Sequence, residues 1–443
     1  MSGKGIVIIG TQFGDEGKGK IVDFYASKAA ISAVVRFNGG ANAGHTIVAD
    51  EIKYAFHLLP SGLAFGKPSF IGNGVVLELE QLEKEIQEVN EKKKKDISSL
   101  LHISERTTLV LPFHKQLDQF QETLKKKMSK EAGTTKRGIG PAYSDKANRI
   151  SIRFIDLFDE DHLQAALKIM NDYYSYFNDE VDLKLSTEKL FTELQRFRNL
   201  FSNMSTDVGY EVEKLLLQGK NVMFEGAQST LLDIDHGIYP FNTSSVTVAS
   251  GASSGSGVGM QYLIERIGVV KAFTSRVGAG PVMGELDYTK DPGKLIQTEG
   301  YEFGTTTGRP RRIAWLDLVA LRYAIRINGL TGLAITKVDI LGILPEFKVI
   351  IAYKDPESGK TIESQFPAQL SKFEIYQPIF KTFKGWGKKT DDEWKKFIEK
   401  GYESFPKELR EFVEFIEKET KTPAYVIGLG RSRELALEKI KII

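Results

Sequence analysis

Short apolar, often β-branched runs alternate along this chain with longer stretches in which Leu, Ile, Phe and Tyr return every three or four positions. The short runs fall at 5–10, 32–37, 69–72, 107–111, 221–225, 267–274, 331–336 and 424–428, most of them followed by glycines. A strand that is apolar on nearly every residue is buried on both faces, so these runs predict a parallel or mixed sheet covered by helices. The longer spacing predicts helices at 160–200, 206–218, 258–266, 314–328 and 391–419. No Pro-, Ser- or Gly-rich linker interrupts the pattern, which leads to the expectation of a single α/β domain over 1–443. Its core would be a large, mostly parallel central sheet with helical insertions, and the glycines at the strand ends would mark its ligand-binding rim.

Composition narrows this only slightly. The 443 residues are 41% hydrophobic and 27% charged, the balance of an ordinary globular chain. Sixty basic against fifty-eight acidic residues leave a net charge of +2, too small a field to argue for nucleic acid or an anionic membrane. The lysine runs 92–95 and 125–127 read as solvated helix faces. The absence of cysteine excludes disulfides, thiolate zinc sites and a cysteine nucleophile. No apolar run approaches the ~20 residues of a membrane helix, and Asp15 and Glu16 follow the first strand too closely for a signal peptide. A cytoplasmic protein is expected.

The chemistry concentrates in glycine-rich loops. After the first strand comes GTQFGDEGKGK at 10–20, a P-loop-like turn opening a helix. Backbone N–H groups and the helix N-terminus there can cradle phosphates. The segment fits G-x-x-x-x-G-K but lacks the following Ser or Thr that holds Mg²⁺ in a standard P-loop, so Asp15 is the candidate oxygen donor. A second loop, NGGANAGH at 38–45, carries His45 to the same kind of strand end, which makes an acid/base pair with Asp15 available. GTTTGRPRR at 304–312 precedes a helix expected near Ala314. Arginines at a helix N-terminus oppose its dipole unless an anion intervenes. Thr336-Lys337-Val338-Asp339 leaves a strand, and an aspartate there can accept from guanine N1–H and its 2-amino group together, a donor pair adenine lacks. GTTKRGIGPAYSDKANR at 133–149 offers hydroxyls and cations for a monophosphate. Gln228 offers an amide to a base edge. The G-x-S-x-G match at 251–255 lies in a Gly/Ser-dense stretch, and Asp233-Ile-Asp-His236 reads as a turn rather than a metal site.

Taken together and in order, GTQFGDEGKGK, NGGANAGHT, HLLPSG, IGNGVV, GTTKRGIGPAYSDK, MFEGAQSTLLDIDHG, SRVGAGP, EFGTTTGRPRR and TKVD resemble the adenylosuccinate synthetase family through nearly the whole chain. The resemblance implies a GTP-dependent ligase that joins L-aspartate to IMP through 6-phosphoryl-IMP, with Mg²⁺ as cofactor. It implies that Asp15 is the base, His45 the acid, and Lys18 and Gln228 further catalytic residues, with Asp15 and the Gly44 carbonyl as metal ligands. IMP contacts carry over onto Asp15, Asn42, Ala43, Gly44, His45, Thr135, Gln228, Thr243 and Arg309, and Arg149 reaches in from a second subunit of a homodimer. GTP contacts carry over onto Gly14, Asp15, Glu16, Gly17, Lys18, Gly19, Lys20, Gly44, His45, Thr46, Arg311, Lys337, Val338, Asp339, Gly428, Leu429 and Gly430. Aspartate would be held by Thr305, Thr306, Thr307, Gly308, Arg309 and Arg311.

The chain departs from the family's pattern at several points. Pro310 interrupts an arginine run, Lys136 and Ser229 stand at common glycine positions, Ala41 sits where the family varies, and Gly428-Leu429-Gly430 replaces a more polar turn. Pro310 restricts Arg309, so differences are expected in the aspartate loop. A GTP switch, or a catalytically silent nucleotide-binding protein, would share the phosphate loop and TKVD. The switch has no need of the arginine loop or the 133–149 segment, and intact Asp15, Lys18, His45 and Arg309 argue against the silent protein.

Overall fold

The computed structural model describes residues 2–49, 51–128, 135–176, 186–303 and 310–443. They form two compact units, one from Met1–Val7, Tyr25–Ala227 and Thr243–Ile264, the other from Ile8–Phe24, Gln228–Asn242 and Glu265–Ile443. Among the described residues the main sheet counts ten strands. In the first unit, strands Asn221–Ser229, Ile31–Arg36, Ser69–Ile71, Leu101–Ser104 and Ser205–Thr206 lie side by side in that order, all parallel. In the second, Glu265–Lys271, Gly332–Thr336 and Ala424–Gly428 are parallel, with Ala436–Glu438 antiparallel at the edge. Strand Gly5–Gly10 is buried at every residue, as its unbroken apolar run requires. The fold is thus α/β with a large, mostly parallel sheet, the class the apolar runs imply. A second, largely antiparallel sheet in the second unit contains Phe273–Arg276, Arg312–Asp317, Glu346–Lys354 and Gln377–Lys384.

Several helix boundaries differ from the sequence pattern. At 258–266 no α-helix forms: helix Gly251–Ser256 ends at Gly257, whose φ is 81°, and a 3₁₀ turn at Met260–Tyr262 leads into strand Glu265–Lys271. The ladder to 332–336 pairs Ile267–Lys271, directly after the stretch whose spacing looked helical. The stretch 391–419 is two helices, Asp391–Lys400 and Lys407–Thr420, parted by Gly401 at φ 86° and by Pro406. Helices Glu160–Ser175 and Thr187–Phe201 occupy the described parts of 160–200.

The expected helix at 314–328 begins only at Leu318, because Asp317 caps it by accepting from Val319 N (2.9 Å) and Ala320 N (3.2 Å). Residues Arg312–Asp317 are a buried strand paired with Phe273–Arg276. Arg311 and Arg312 therefore do not crowd a helix N-terminus, and the dipole argument for an anion there does not hold. Arg312 is committed to a bidentate pair with Glu285.

One buried carboxylate fixes the HLLPSG turn in the first unit. Helix Leu79–Lys93 carries Glu85 inward, where it accepts from the backbone N–H groups of His57 (3.0 Å), Leu58 (3.1 Å) and Leu59 (3.0 Å) and from Gln81 Nε2 (2.9 Å). Glu85→Ala would strand three backbone donors, each costing about 1–3 kcal/mol if unpaired. The expected outcome is a loss of about 3 kcal/mol or more in unfolding free energy. Glu85→Gln, which keeps one acceptor oxygen, should lose less, and denaturant unfolding followed by circular dichroism measures both.

Candidate active site

The second unit contains the glycine-rich loop of residues 10–20, the candidate phosphate loop. Between strand Gly5–Gly10 and helix Lys18–Ala26 the backbone passes through positive φ at Gly14 (90°), Asp15 (58°) and Gly17 (84°), which curls the loop on itself. The Glu16 carboxylate turns into the curl. Its Oε1 accepts from Gln12 N (3.1 Å), Gly14 N (2.9 Å) and the Ser229 hydroxyl, and its Oε2 accepts from Lys18 Nζ (2.7 Å). Lys18 also reaches Ser229 Oγ at 3.2 Å. Burial works to raise the Glu16 carboxyl, but the Lys18 charge and these donors hold it below the usual range. Gly10 cannot be replaced here, since a Cβ would lie 1.9 Å from Ser229 Oγ.

The strand that ends at Thr336 is tied to the same loop. Thr336 donates its hydroxyl to the Glu16 carbonyl, and Lys337 turns through φ 59° so that Val338 and Asp339 open the short helix Val338–Leu341. Asp339 Oδ1 is buried and has no partner among the described residues. Burial raises its carboxyl while the Lys20 charge and the Gly430 N–H oppose that shift. Lys20 spends its ammonium on the carbonyls of Leu429, Gly430 (3.3 Å) and Leu435 (2.8 Å), pinning the Gly428–Gly430 turn beside Asp339. Burial brings Lys20 down to about 7, with Asp339 pulling the other way.

Arg311 lies between two carboxylates, 2.8 Å from Asp15 Oδ2 and 2.9 Å from Glu302 Oε2. Asp15 remains largely exposed. Gln228 takes φ 56° at the end of its strand. Thr305, Thr306, Thr307, Gly308 and Arg309 lie outside the described residues.

In the first unit His45 starts strand His45–Ala49, opposite Phe56 in a hairpin, and is buried with Nδ1 3.9 Å from Glu225 Oε2. The loop before it is held from three sides. Arg36 donates to the carbonyls of His57 and Gly40 (3.0 Å), and Asn38 exchanges two hydrogen bonds with Ala227 (3.2 and 2.8 Å). Tyr143 accepts from Gly39 N (3.1 Å) and donates to the Gly74 carbonyl (2.6 Å). Asn42 Oδ1 is buried without a partner among the described residues, while Gly44 and Thr46 are exposed. Helix Ile139–Asn148 ends at Arg149, an exposed residue with φ 64°. The helix is anchored through Asp145, which meets His114 Nε2 (2.9 Å) and accepts from the Tyr174 hydroxyl (2.6 Å). Thr135 is exposed and Thr243 half-buried.

Sequence reasoning missed Arg36, Glu225, Lys271 and Glu302. The first three share a signal: each is a buried charged residue immediately after an apolar strand run, in VVR, MFE and VVK. Parallel pairing sets Glu225 opposite Arg36. Two weaker motifs resolve as structural. Ser253 lies in a helix with its hydroxyl on the Val258 carbonyl (2.6 Å), and Asp233 accepts from Asp235 N and His236 N to make a turn.

The family model described as Adenylosuccinate synthetase matches residues 7–437. A curated adenylosuccinate synthetase from Acetivibrio thermocellus is 44% identical over 432 residues, covering 97% of this chain and 98% of its own. The fully ligated adenylosuccinate synthetase of Plasmodium falciparum superposes with a TM-score of 0.89 at 36% identity, covering 99% of this chain and 100% of that one. A succinoaminodeoxyadenylate synthetase of cyanophage S-2L shares the fold at a TM-score of 0.62 and 16% identity, covering 100% of this chain and 97% of that one.

The Glu225 carboxyl beside His45 is pushed up to about 7 by burial, against the Ser61 hydroxyl and Arg36. The folded state therefore holds a proton that the unfolded chain has already released. The stability from this group is fully present below the ordinary value of 4.5 and is lost as pH rises towards about 7. Glu225→Gln should flatten the pH dependence of the thermal midpoint across that window. A midpoint that varies with pH as in the wild type would exclude this origin.

Proposed function

The chain belongs to the adenylosuccinate synthetase family, GTP-dependent ligases of purine biosynthesis that join L-aspartate to IMP, and on that premise we propose which residues carry the reaction and how. Asp15 removes the N1 proton of IMP, and O6 attacks the γ-phosphorus of GTP as the bond to the GDP oxygen breaks. His45 donates to the transferred phosphoryl group. The aspartate amine then displaces phosphate from the 6-phosphoryl-IMP, giving adenylosuccinate. A free aspartate side chain, with a reference pKa of ~3.9, is a weak base, so positioning supplies much of the rate. Lys18 and Gln228 complete the catalytic set, with Lys18 opposite the phosphates and Gln228 on the purine edge.

IMP is assigned to Asn42, Ala43, Gly44, Thr135, Thr243 and Arg309 as well as to the catalytic residues, and Arg149 is supplied by the second subunit of a homodimer. GTP lies along Gly14–Lys20, with guanine between Lys337, Asp339 and the Gly428–Gly430 turn. Thr305–Arg309 and Arg311 take aspartate. The exposed Asp15 carboxylate suits Mg²⁺, which binds one or two carboxylates and fills its shell with phosphate oxygens and water. Asp15 and the Gly44 carbonyl would hold it, and when bound it neutralises charge on the phosphates. No helix among the described residues is long and apolar enough to cross a membrane, and a cytoplasmic location is proposed.

The observation that carries this reading is the buried, unpartnered Asp339 Oδ1, within the same unit as the phosphate loop. It is an acceptor prepared for a donor that guanine has. Leaving such a group unpaired discriminates strongly against a ligand without the donor, so ATP should replace GTP poorly. A spectrophotometric assay with IMP, GTP, aspartate and Mg²⁺, each omitted in turn, tests the activity. Product without IMP or aspartate, or with ATP as readily as GTP, would sink the reading.

Two substitutions sharpen the assignment. Asp15→Ala should lower kcat by about 10²-fold or more with the fold intact, and substantial residual turnover would remove Asp15 from the base role. Asp339→Asn should raise KM for GTP by roughly tenfold or more, about 1.4 kcal/mol per tenfold, while KM for IMP hardly moves. Equal effects on both nucleotides would contradict guanine reading.

A further inference from the structure

We propose that Glu302 is a positioning residue for this reaction, a buried carboxylate that holds both the arginine lying on Asp15 and the lysine that fronts the guanine site. Glu302 is 0% exposed. Its Oε1 lies 2.8 Å from Lys271 Nζ and 3.8 Å from Lys337 Nζ, and its Oε2 lies 2.9 Å from Arg311 Nη1. The other arm of Arg311 reaches Asp15 Oδ2 at 2.8 Å. One carboxylate thus pairs directly with the cation resting on the proposed catalytic base and lies within 3.8 Å of Lys337, whose ammonium donates to the Gly300 carbonyl.

The backbone around Glu302 is fixed as firmly as its side chain. Its carbonyl accepts from Arg311 N and its N–H donates to Gln297 O, both at 2.9 Å, while Gln297 Nε2 donates to the Arg311 carbonyl at 2.9 Å. Lys271 is anchored independently. Its ammonium donates to Ser275 Oγ (2.6 Å) and its N–H to Gln12 Oε1 (2.9 Å), the residue that opens the phosphate loop. Three cations meet two carboxylates in this cluster, leaving one positive charge in excess, which favours an anionic ligand beside it. Burial alone would raise the Glu302 carboxyl, yet Lys271, Lys337 and Arg311 bring it down to about 2, so it stays ionised.

The consequence lies in how Arg311 is shared. With Glu302 ionised, the guanidinium is divided between two carboxylates and its pull on Asp15 is tempered. With Glu302 neutralised, Arg311 is held by Asp15 alone and its place beside that carboxylate is no longer fixed from the Glu302 side, while Lys337, whose ammonium donates to the Gly300 carbonyl, loses the negative charge 3.8 Å away. A merely structural pair would affect stability without distinguishing the substrates. A positioning carboxylate affects GTP and turnover together and spares IMP.

This proposal rests on the functional reading above. Its test uses the full-length enzyme carrying Glu302→Gln, and the double variant Lys271→Met/Glu302→Gln, in which the buried Lys271 ammonium is not left without its carboxylate. In both, KM for GTP and 1/kcat should rise by about tenfold, KM for IMP should stay within about twofold, and Glu302→Asp should recover part of the loss. Unchanged GTP kinetics, equal changes in both nucleotide KM values, or wild-type kinetics in the double variant would overturn it. Failure of both variants to fold would make the pair a folding element and overturn it too. Calorimetric titration with GTP alone needs no turnover and should show about tenfold weaker binding to the variants, whereas equal binding counts against Glu302. Lack of product from the wild-type enzyme counts against the functional reading instead.

Discussion

The Glu16 carboxylate, folded back into the loop that bears it, is the interaction on which the second unit's site depends. A glycine-rich turn collects N–H groups that need an acceptor, and Glu16 supplies one for Gln12 and Gly14 while Lys18 neutralises its charge and the Ser229 hydroxyl donates to it. Breaking such a buried pair on one side is costly, because the surviving charge has no water to turn to. The loop is therefore set in shape before any ligand arrives. The same knot fixes Gly10 and, through Thr336, the strand that delivers Lys337 and Asp339.

Both units use one device, a charged residue directly after an apolar run within a strand. Arg36 and Glu225 in the first unit, and Lys271 in the second, are carried inward by strands whose other residues have no choice but burial. Each then organises a loop. Arg36 holds the carbonyls of Gly40 and His57, Glu225 faces Ser61 and His45, and Lys271 holds Glu302. Desolvation makes these charges sensitive to their partners, which ties loop geometry to protonation and to the arrival of ligand charge.

The apolar runs made the sheet legible because burial on both faces leaves little freedom in how such a run is used. Helix limits were less legible. Asp317 left the first four residues of an expected helix in a strand by capping it late, and the helix expected at 258–266 is instead a 3₁₀ turn running into a strand. Arg312 looked like an anion ligand until its partner Glu285, 27 positions away in sequence, came into view. Periodicity carries no information about such partners.

The sequence by itself determined the α/β class, because its apolar runs must be buried on both faces, and the family and the places of the glycine-rich loop and the TKVD element, because those are local motifs in a fixed order along the chain. Only the tertiary structure decided which charges are paired. Glu16 with Lys18, Glu225 beside His45, and Glu302 among Lys271, Lys337 and Arg311 are arrangements created by packing. The strength of an electrostatic contact depends on distance and on exclusion of water, and both come into being only when remote segments of the chain are folded together.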